Sequence, residues 1–343
     1  MRTARGMRLF LRCMVAVAIA ALVVFAGAAA GADGVAAGAD GAAAGADHTP
    51  ADGPGVSHES GFFAGTGGVK LFEQSWRVRG RPRAVVVIHH GLKSHSEHDA
   101  ELSRRLVAQG YDVHAYDMRG HGRSEGRRAT IDDFDDLLGD LALFLARVRA
   151  REPGLPIFLL GHSVGGAVVT LFALERHPPL AGVVLLAPAL RVDKPLLLAA
   201  ATPLSASLLP NFPAIDIPDG SFSRDPQTVA NLARDPLVEH SPAPARTARA
   251  LLRAIERIWA RAGTFDLPLL ALHGTGDHVT DPRGTAEIVA RARTSPERKT
   301  LLLYGGLYHD LLHEPERAQV MDDVIAWLNA AQERVPSARP DRF

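Results

Sequence analysis

Three residues far apart in the chain have the types and settings needed for nucleophilic acyl transfer: Ser163, Asp277 and His309. A serine hydroxyl is a weak nucleophile at neutral pH. It needs a base within hydrogen-bond reach, and the base needs a carboxylate that holds its tautomer and stabilises its charged form. Ser163 stands in Gly161-His162-Ser163-Val164-Gly165, with Gly166 directly after. An apolar run, Ile157 to Leu160, leads in, and a helix-forming stretch, Ala167 to Glu175, leads out. This pattern reads as strand, sharp turn and helix, the setting in which G-x-S-x-G carries a nucleophile. A Cβ at either flanking glycine is expected to clash in so tight a turn. The start of the helix behind Ser163 would turn free N–H groups toward developing negative charge.

The acid and base follow in the order Ser, Asp, His. Asp277 closes His273-Gly274-Thr275-Gly276-Asp277, a glycine-rich loop after the apolar run Leu269 to Leu272. Its neighbour Asp281 precedes Pro282 and reads as a helix N-cap. Asp266 precedes the strand and falls at the wrong edge. His309 follows the run Leu301 to Tyr304 through Gly305-Gly306-Leu307-Tyr308, whereas His313 sits beside Glu314-Pro315 at the start of the last helix. His273 and His278 flank the acid loop and read as structural or polar lining. An oxyanion would need two backbone donors. One is the N–H of Val164. The other is the N–H of Leu92, in the loop His89-His90-Gly91-Leu92, where Gly91 would let the chain turn. His90, Gly91, Gly161, His162 and Gly165 support the motif.

His89, His90, His95, His98 and His121 cluster in sequence, so a metal site is the alternative to this reading. The chain has no H-E-x-x-H and no suitably placed cysteine. No metal and no cofactor is expected. The loop Asp117 to Ser124 reads as a brace for that site.

These residues need a frame. Ala84 to Ile88 is a continuous apolar run, as expected of a strand buried on both faces. A helix with Leu102 and Leu106 follows and stops at Gly110, then a strand from Tyr111 to Tyr116. Thr130 with Asp133 reads as a capping box for a helix with the stripe Phe134, Leu137, Leu138, Leu141, Leu145 and Val148. Further strands are expected at 157–160, 183–186, 269–272 and 301–304. Such alternation implies an α/β fold with a mostly parallel sheet, helices on both faces and ligands at the carboxyl ends of the strands. The rhythm breaks between Arg191 and Thr264, a proline-rich stretch without a convincing strand. It reads as a helical cap. Its apolar run Pro195 to Ala201, with Leu208-Leu209-Pro210, is either a helix packed on the core or the oily underside of a lid able to touch a lipid surface in passing.

The expected organisation is an export signal or N-terminal anchor at 1–30, a Gly/Ala/Asp-rich linker at 31–57, a core at 58–190 and 265–335 interrupted by the cap at 191–264, and a tail at 336–343. Arg2, Arg5, Arg8 and Arg12 precede the apolar stretch Met14 to Phe25, and small residues follow, which places the chain outside the cytoplasm. The sole cysteine, Cys13, excludes an intrachain disulfide, a cysteine metal site and a cysteine nucleophile in the core. Zero formal net charge with scattered Arg gives no ground for nucleic-acid binding, and nothing indicates an obligate protein partner.

As a set, His90-Gly91, the run Asp117-Met118-Arg119-Gly120-His121-Gly122-Arg123-Ser124-Glu125-Gly126 and the serine motif resemble the monoacylglycerol lipase and lysophospholipase group of α/β-hydrolases. Leu208-Leu209-Pro210-Asn211, Ser223-Arg224-Asp225 and Asp235-Pro236-Leu237-Val238 are similar to that group's cap. The resemblance spans about residues 60–333. It implies an α/β-hydrolase fold, a Ser163–His309–Asp277 triad, Leu92 and Val164 as oxyanion donors, and hydrolysis of esters carrying a single acyl chain. An aminopeptidase or a general carboxylesterase on the same scaffold is the alternative. The former would draw on acidic cap residues such as Asp216, Asp219 and Asp225.

Overall fold

The computed structural model describes residues 56–192 and 209–335. The residues expected to form the export signal or anchor, most of the expected linker, the cap run 193–208 and the tail lie outside the described residues.

Alternating long apolar strands and amphipathic helices build a single sheet covered on both faces. Strand β1 (Val56–Ala64) and β2 (Lys70–Val78) form an antiparallel pair. Then come β3 (Ala84–His89), α1 (Ala100–Ala108), β4 (Tyr111–Tyr116), α2 (Phe134–Arg151), β5 (Ile157–His162), α3 (Val164–Arg176) and β6 (Gly182–Leu186). Within the insertion lie β7 (Pro213–Ile215), α4 (Pro226–Leu232), β8 (Ala243–Pro244) and α5 (Ala245–Arg261). The chain returns through β9 (Leu269–Gly274), α6 (Pro282–Arg291), β10 (Lys299–Tyr304) and α7 (Arg317–Glu333).

The large sheet has the order β1-β2-β4-β3-β5-β6-β9-β10, and all pairings from β4 through β10 are parallel. Because alternate strand residues face opposite sides, Val85 and Val87 enter one core while Val86 and Ile88 enter the other. The first core packs α2, α3, α5 and α6 on the sheet, and the second packs α1 and α7. Both faces are therefore buried, which is why β3, β5 and β6 read as unbroken apolar runs.

Two local readings need correction. Thr130 does not cap α2: the cap is Asp133, whose side chain accepts from the Asp135 N–H, while the Thr130 hydroxyl donates to the Arg128 carbonyl. The insertion is also not strand-free, since β7 and β8 pair antiparallel. Both strands are too short for a two-residue alternation to show. The helix closing the insertion, α5, lays Leu251, Ala254, Ile255 and Ile258 into the first core. No helix among the described residues is long and apolar enough to cross a membrane.

Candidate active site

The turn after β5 forces Ser163 into an unusual backbone conformation, φ 53° and ψ −119°. Only small neighbours permit it. A Cβ on Gly161 would stand 2.6 Å from the Gly165 carbonyl oxygen, and one on Gly165 only 2.2 Å from the His89 carbonyl oxygen. Such contacts with backbone cannot be relieved by a side-chain rotation. The turn and the loop after β3 therefore pack backbone against backbone.

Sheet topology then brings the distant residues together, because β5, β9 and β10 run parallel and end at the same edge. His309 Nε2 lies 2.8 Å from Ser163 Oγ, and His309 Nδ1 lies 2.7 Å from Asp277 Oδ2. All three side chains are buried. Asp277 Oδ1 accepts the Val279 and Thr280 N–H groups at 2.6 and 3.0 Å, which fixes the plane of the carboxylate. Burial alone would push this carboxyl up. The charge of His309 and hydrogen bonds from His273 and His309 outweigh it and hold Asp277 well below the usual carboxylate range.

Two members of this network carry more than their sequence setting suggested. His273 donates from Nε2 to Asp277 Oδ2 at 3.0 Å and is itself positioned by Thr285 Oγ1 at 2.6 Å from Nδ1. The Thr280 hydroxyl donates to the same Asp277 oxygen at 2.9 Å. Thr280 was missed, and its only sequence signal is its place three residues after the acid. Asp281 caps α6 by accepting the Arg283 N–H, so it performs the structural task its Pro282 neighbour indicated. His278 packs edge-on against Tyr308.

The loop bearing Leu92 crosses directly over the serine. A Cβ on Gly91 would approach Ser163 Cβ to 2.9 Å, so glycine is needed here for closeness rather than for a turn; the residue with positive φ is Lys93, at 59°. Val164 opens α3, so its N–H has no partner within that helix. His90 is buried and braces the loop. The Met118 N–H donates to Nε2 at 2.8 Å, so Nδ1 carries the proton and donates to the Gly91 carbonyl at 2.7 Å. Burial, with the nearby His121, keeps its pKa well below the ordinary imidazole value. His162 is likewise lowered to about 4, first by burial and then by His309, and its Nε2 reaches the His309 carbonyl at 3.4 Å. Both imidazoles are thus neutral braces at neutral pH.

A mainly apolar cavity of about 130 Å³ ends on Ser163. Leu92 and Val164 line it from the core, Ala214, Ile215 and Ile217 from the insertion, and Leu251 from α5. Asp216 also borders it. A wider hollow of about 920 Å³ lies at the opposite edge of the sheet, beside the start of β5, away from the serine. The insertion touches the catalytic loop through Phe222, whose ring meets His309 edge-on at 5.8 Å and whose carbonyl accepts the Asp310 N–H.

A parallel sheet whose strand ends gather a serine on a strained turn, a histidine and a carboxylate, beneath a helical insertion, defines an α/β-hydrolase. The family model described as Hydrolase_4, serine aminopeptidase S33, matches residues 80–316, and the chain belongs to that family. The monoacylglycerol lipase of Mycolicibacterium smegmatis is 35% identical over 269 residues, covering 78% of this chain and 95% of the relative. The monoglyceride lipase of Homo sapiens is 33% identical over 287 residues, covering 80% and 91%. Among solved structures, the monoacylglycerol lipase of Paleococcus ferrophilus superposes with a TM-score of 0.67 at 26% identity, covering 76% of this chain and 99% of that one.

Proposed function

We propose that this protein hydrolyses monoacylglycerols and closely related single-chain carboxylic esters through an acyl-enzyme on Ser163. The observation that carries this reading is the continuous hydrogen-bonded line from Ser163 through His309 to Asp277, opening into a narrow apolar cavity. The two relatives, a monoacylglycerol lipase and a monoglyceride lipase, agree with it. His309 takes the serine proton from Nε2 as Oγ attacks the ester carbonyl. Asp277 stabilises the imidazolium through Nδ1, and the Leu92 and Val164 N–H groups receive the oxyanion. His309 then protonates the departing glycerol oxygen. A water activated by the same histidine releases the fatty acid.

The acyl chain fits the cavity between Leu92, Ile217 and Leu251, where each buried methylene contributes up to about 0.8 kcal/mol. The insertion at 191–264 serves as the cap, and transient contact of its apolar parts with a lipid surface delivers substrate. The N-terminal segment exports the chain or tethers it outside the cytoplasm.

One observation favours a second reading. Asp216 at the cavity rim could hold a substrate amine, as an aminopeptidase needs. The other acids offered for that role have different surroundings: Asp225 caps α4, and Asp219 lies 3.9 Å from His240. A competition assay with monoacylglycerol, triacylglycerol and an aminoacyl amide separates the readings. Monoacylglycerol should be consumed fastest, and faster cleavage of the amide would overturn the lipid ester assignment.

A further inference from the structure

Apart from the Ser163–His309–Asp277 line, one cluster joins the core to the insertion in a way that ester hydrolysis does not require. His95 and His98 belong to the loop after β3, and Asp235 belongs to the insertion beyond α4. His95 Nε2 and His98 Nε2 both converge on Asp235 Oδ2, at 2.9 and 3.1 Å. A tight turn, with the His98 N–H donating to the His95 carbonyl, sets the two rings side by side, tilted by 44° with centroids 4.0 Å apart. The three potential ligand atoms all lie within 4.8 Å of one another.

We propose that His95, His98 and Asp235 form a binding site for a zinc-like divalent transition metal that clips the cap to the core. Ligands about 2 Å from a tetrahedral zinc ion stand about 3.3 Å apart, so the 2.9 and 3.1 Å nitrogen–oxygen edges need to open by only a few tenths of an ångström. Two imidazoles and a carboxylate are a donor set that such metals favour over magnesium or calcium. Outer contacts hold Asp235 and His98, whereas the buried His95 Nδ1 has no hydrogen-bond partner among the described residues. The Leu237 N–H donates to Asp235 Oδ1 at 2.8 Å, leaving Oδ2 for a metal. Ser94 Oγ lies 2.9 Å from His98 Nδ1 and can accept its proton once Nε2 is ligated. The turn itself is pinned, because the buried Asp117 accepts both the N–H and the hydroxyl of Ser96. In the metal-free form each Nε2–H donates to Asp235. Metal binding replaces those two hydrogen bonds, and each imidazole proton moves to Nδ1, so the neutral ring keeps its proton count.

The second three-residue cluster, Asp112, His114 and Glu152, is not comparable. The Arg77 guanidinium already reaches Asp112 at 3.2 Å and Glu152 at 2.7 Å, and its charge stands where a cation would go.

The test uses the purified full chain without an affinity tag, titrated with Co²⁺ as a spectroscopic stand-in for zinc. One equivalent should give the intense visible bands of a tetrahedral N/O site, and Zn²⁺ should bleach them. His98→Ala and Asp235→Asn should each lower affinity more than about 100-fold, beyond the 10- to 100-fold range of an outer contact, whereas Ser94→Ala should fall within that range. Both ligand side chains are partly exposed, and circular dichroism would verify that the variants fold. Absence of stoichiometric binding, or bands that survive both ligand substitutions, would overturn the proposal.

Discussion

The elbow and the cap meet at the same serine but are built by opposite means. In α3, eleven of the 13 residues are buried, and the turn before it locks backbone on backbone at Gly161 and Gly165. In the cap, α4 buries no residue at all. Unlike α5, which packs into the first core, the part of the cap around α4 is held mainly by separate polar links. Arg224 binds Glu314 at 2.6 Å and also pairs with Glu316, the Ser223 hydroxyl donates to the His313 carbonyl, and Asp235 takes His95 and His98. Close packing has a single solution, so the nucleophile is placed without tolerance. Polar links between partly exposed side chains each contribute little, so the cover can be rearranged at small cost except where Arg224 neutralises the buried Glu314. The difference suits an enzyme that must keep its catalytic geometry while admitting an oily substrate.

The comparison can be broken most directly at the nucleophile. Ser163→Ala should reduce hydrolysis of a short p-nitrophenyl ester by about four orders of magnitude or more and abolish fluorophosphonate labelling. Retained labelling would move the chemistry to another serine. Next in size, Gly165→Ala should cost about 3 kcal/mol or more of stability and disable the site together with the fold, since its methyl would strike the His89 carbonyl. A soluble, active Gly165→Ala enzyme in thermal melts and ester assays would show that the elbow yields more than its packing allows.

Smaller effects distinguish the two regions. Thr280→Val removes one hydrogen bond to the Asp277 carboxylate and should lower kcat about tenfold, roughly 1.4 kcal/mol, with KM little changed. A change confined to KM would argue against its role in holding the acid. Ile217→Ala in the cap should reduce kcat/KM for long-chain monoacylglycerols while sparing acetate esters, by roughly tenfold at most. Equal losses on both substrates would place the acyl chain elsewhere.

A separate effect concerns pH. Burial lowers the pKa of His313, but the charge and hydrogen bond of Asp310 prevail and raise it to about 9. A raised folded pKa stabilises the protein fully below the unfolded value near 6.5, and the contribution disappears as pH climbs through about 9. The melting temperature should therefore decline across that window in the wild type and decline less in His313→Gln. Parallel curves would remove this pair from the links beneath the cap.

Much of the site was legible because its chemistry demands residue types in a chain order. G-x-S-x-G has few backbone solutions, and glycine-rich tips after apolar runs mark the strand ends where Asp277 and His309 stand. The cap was harder to read, since β7 and β8 span only three and two residues and carry no periodicity. The α2 cap was misassigned because Thr130 and Asp133 both suit the role, and only the backbone geometry chooses between them.

Local sequence thus determined the six parallel strands of the sheet, though not the antiparallel β1 and β2, of which β1 begins at Val56 inside the expected linker. It also determined the strained serine turn and the identity of the acid and base, each a consequence of short-range sterics or of strands buried on both faces. Tertiary structure alone decided the rest. Parallel pairing brought Ser163, Asp277 and His309 within hydrogen-bond reach across as many as 146 positions of chain. It added Thr280 and His273 to the carboxylate, and it set His95 and His98 against Asp235 from a different region. Those contacts depend on how the loops cross in space, and no spacing along the chain encodes that.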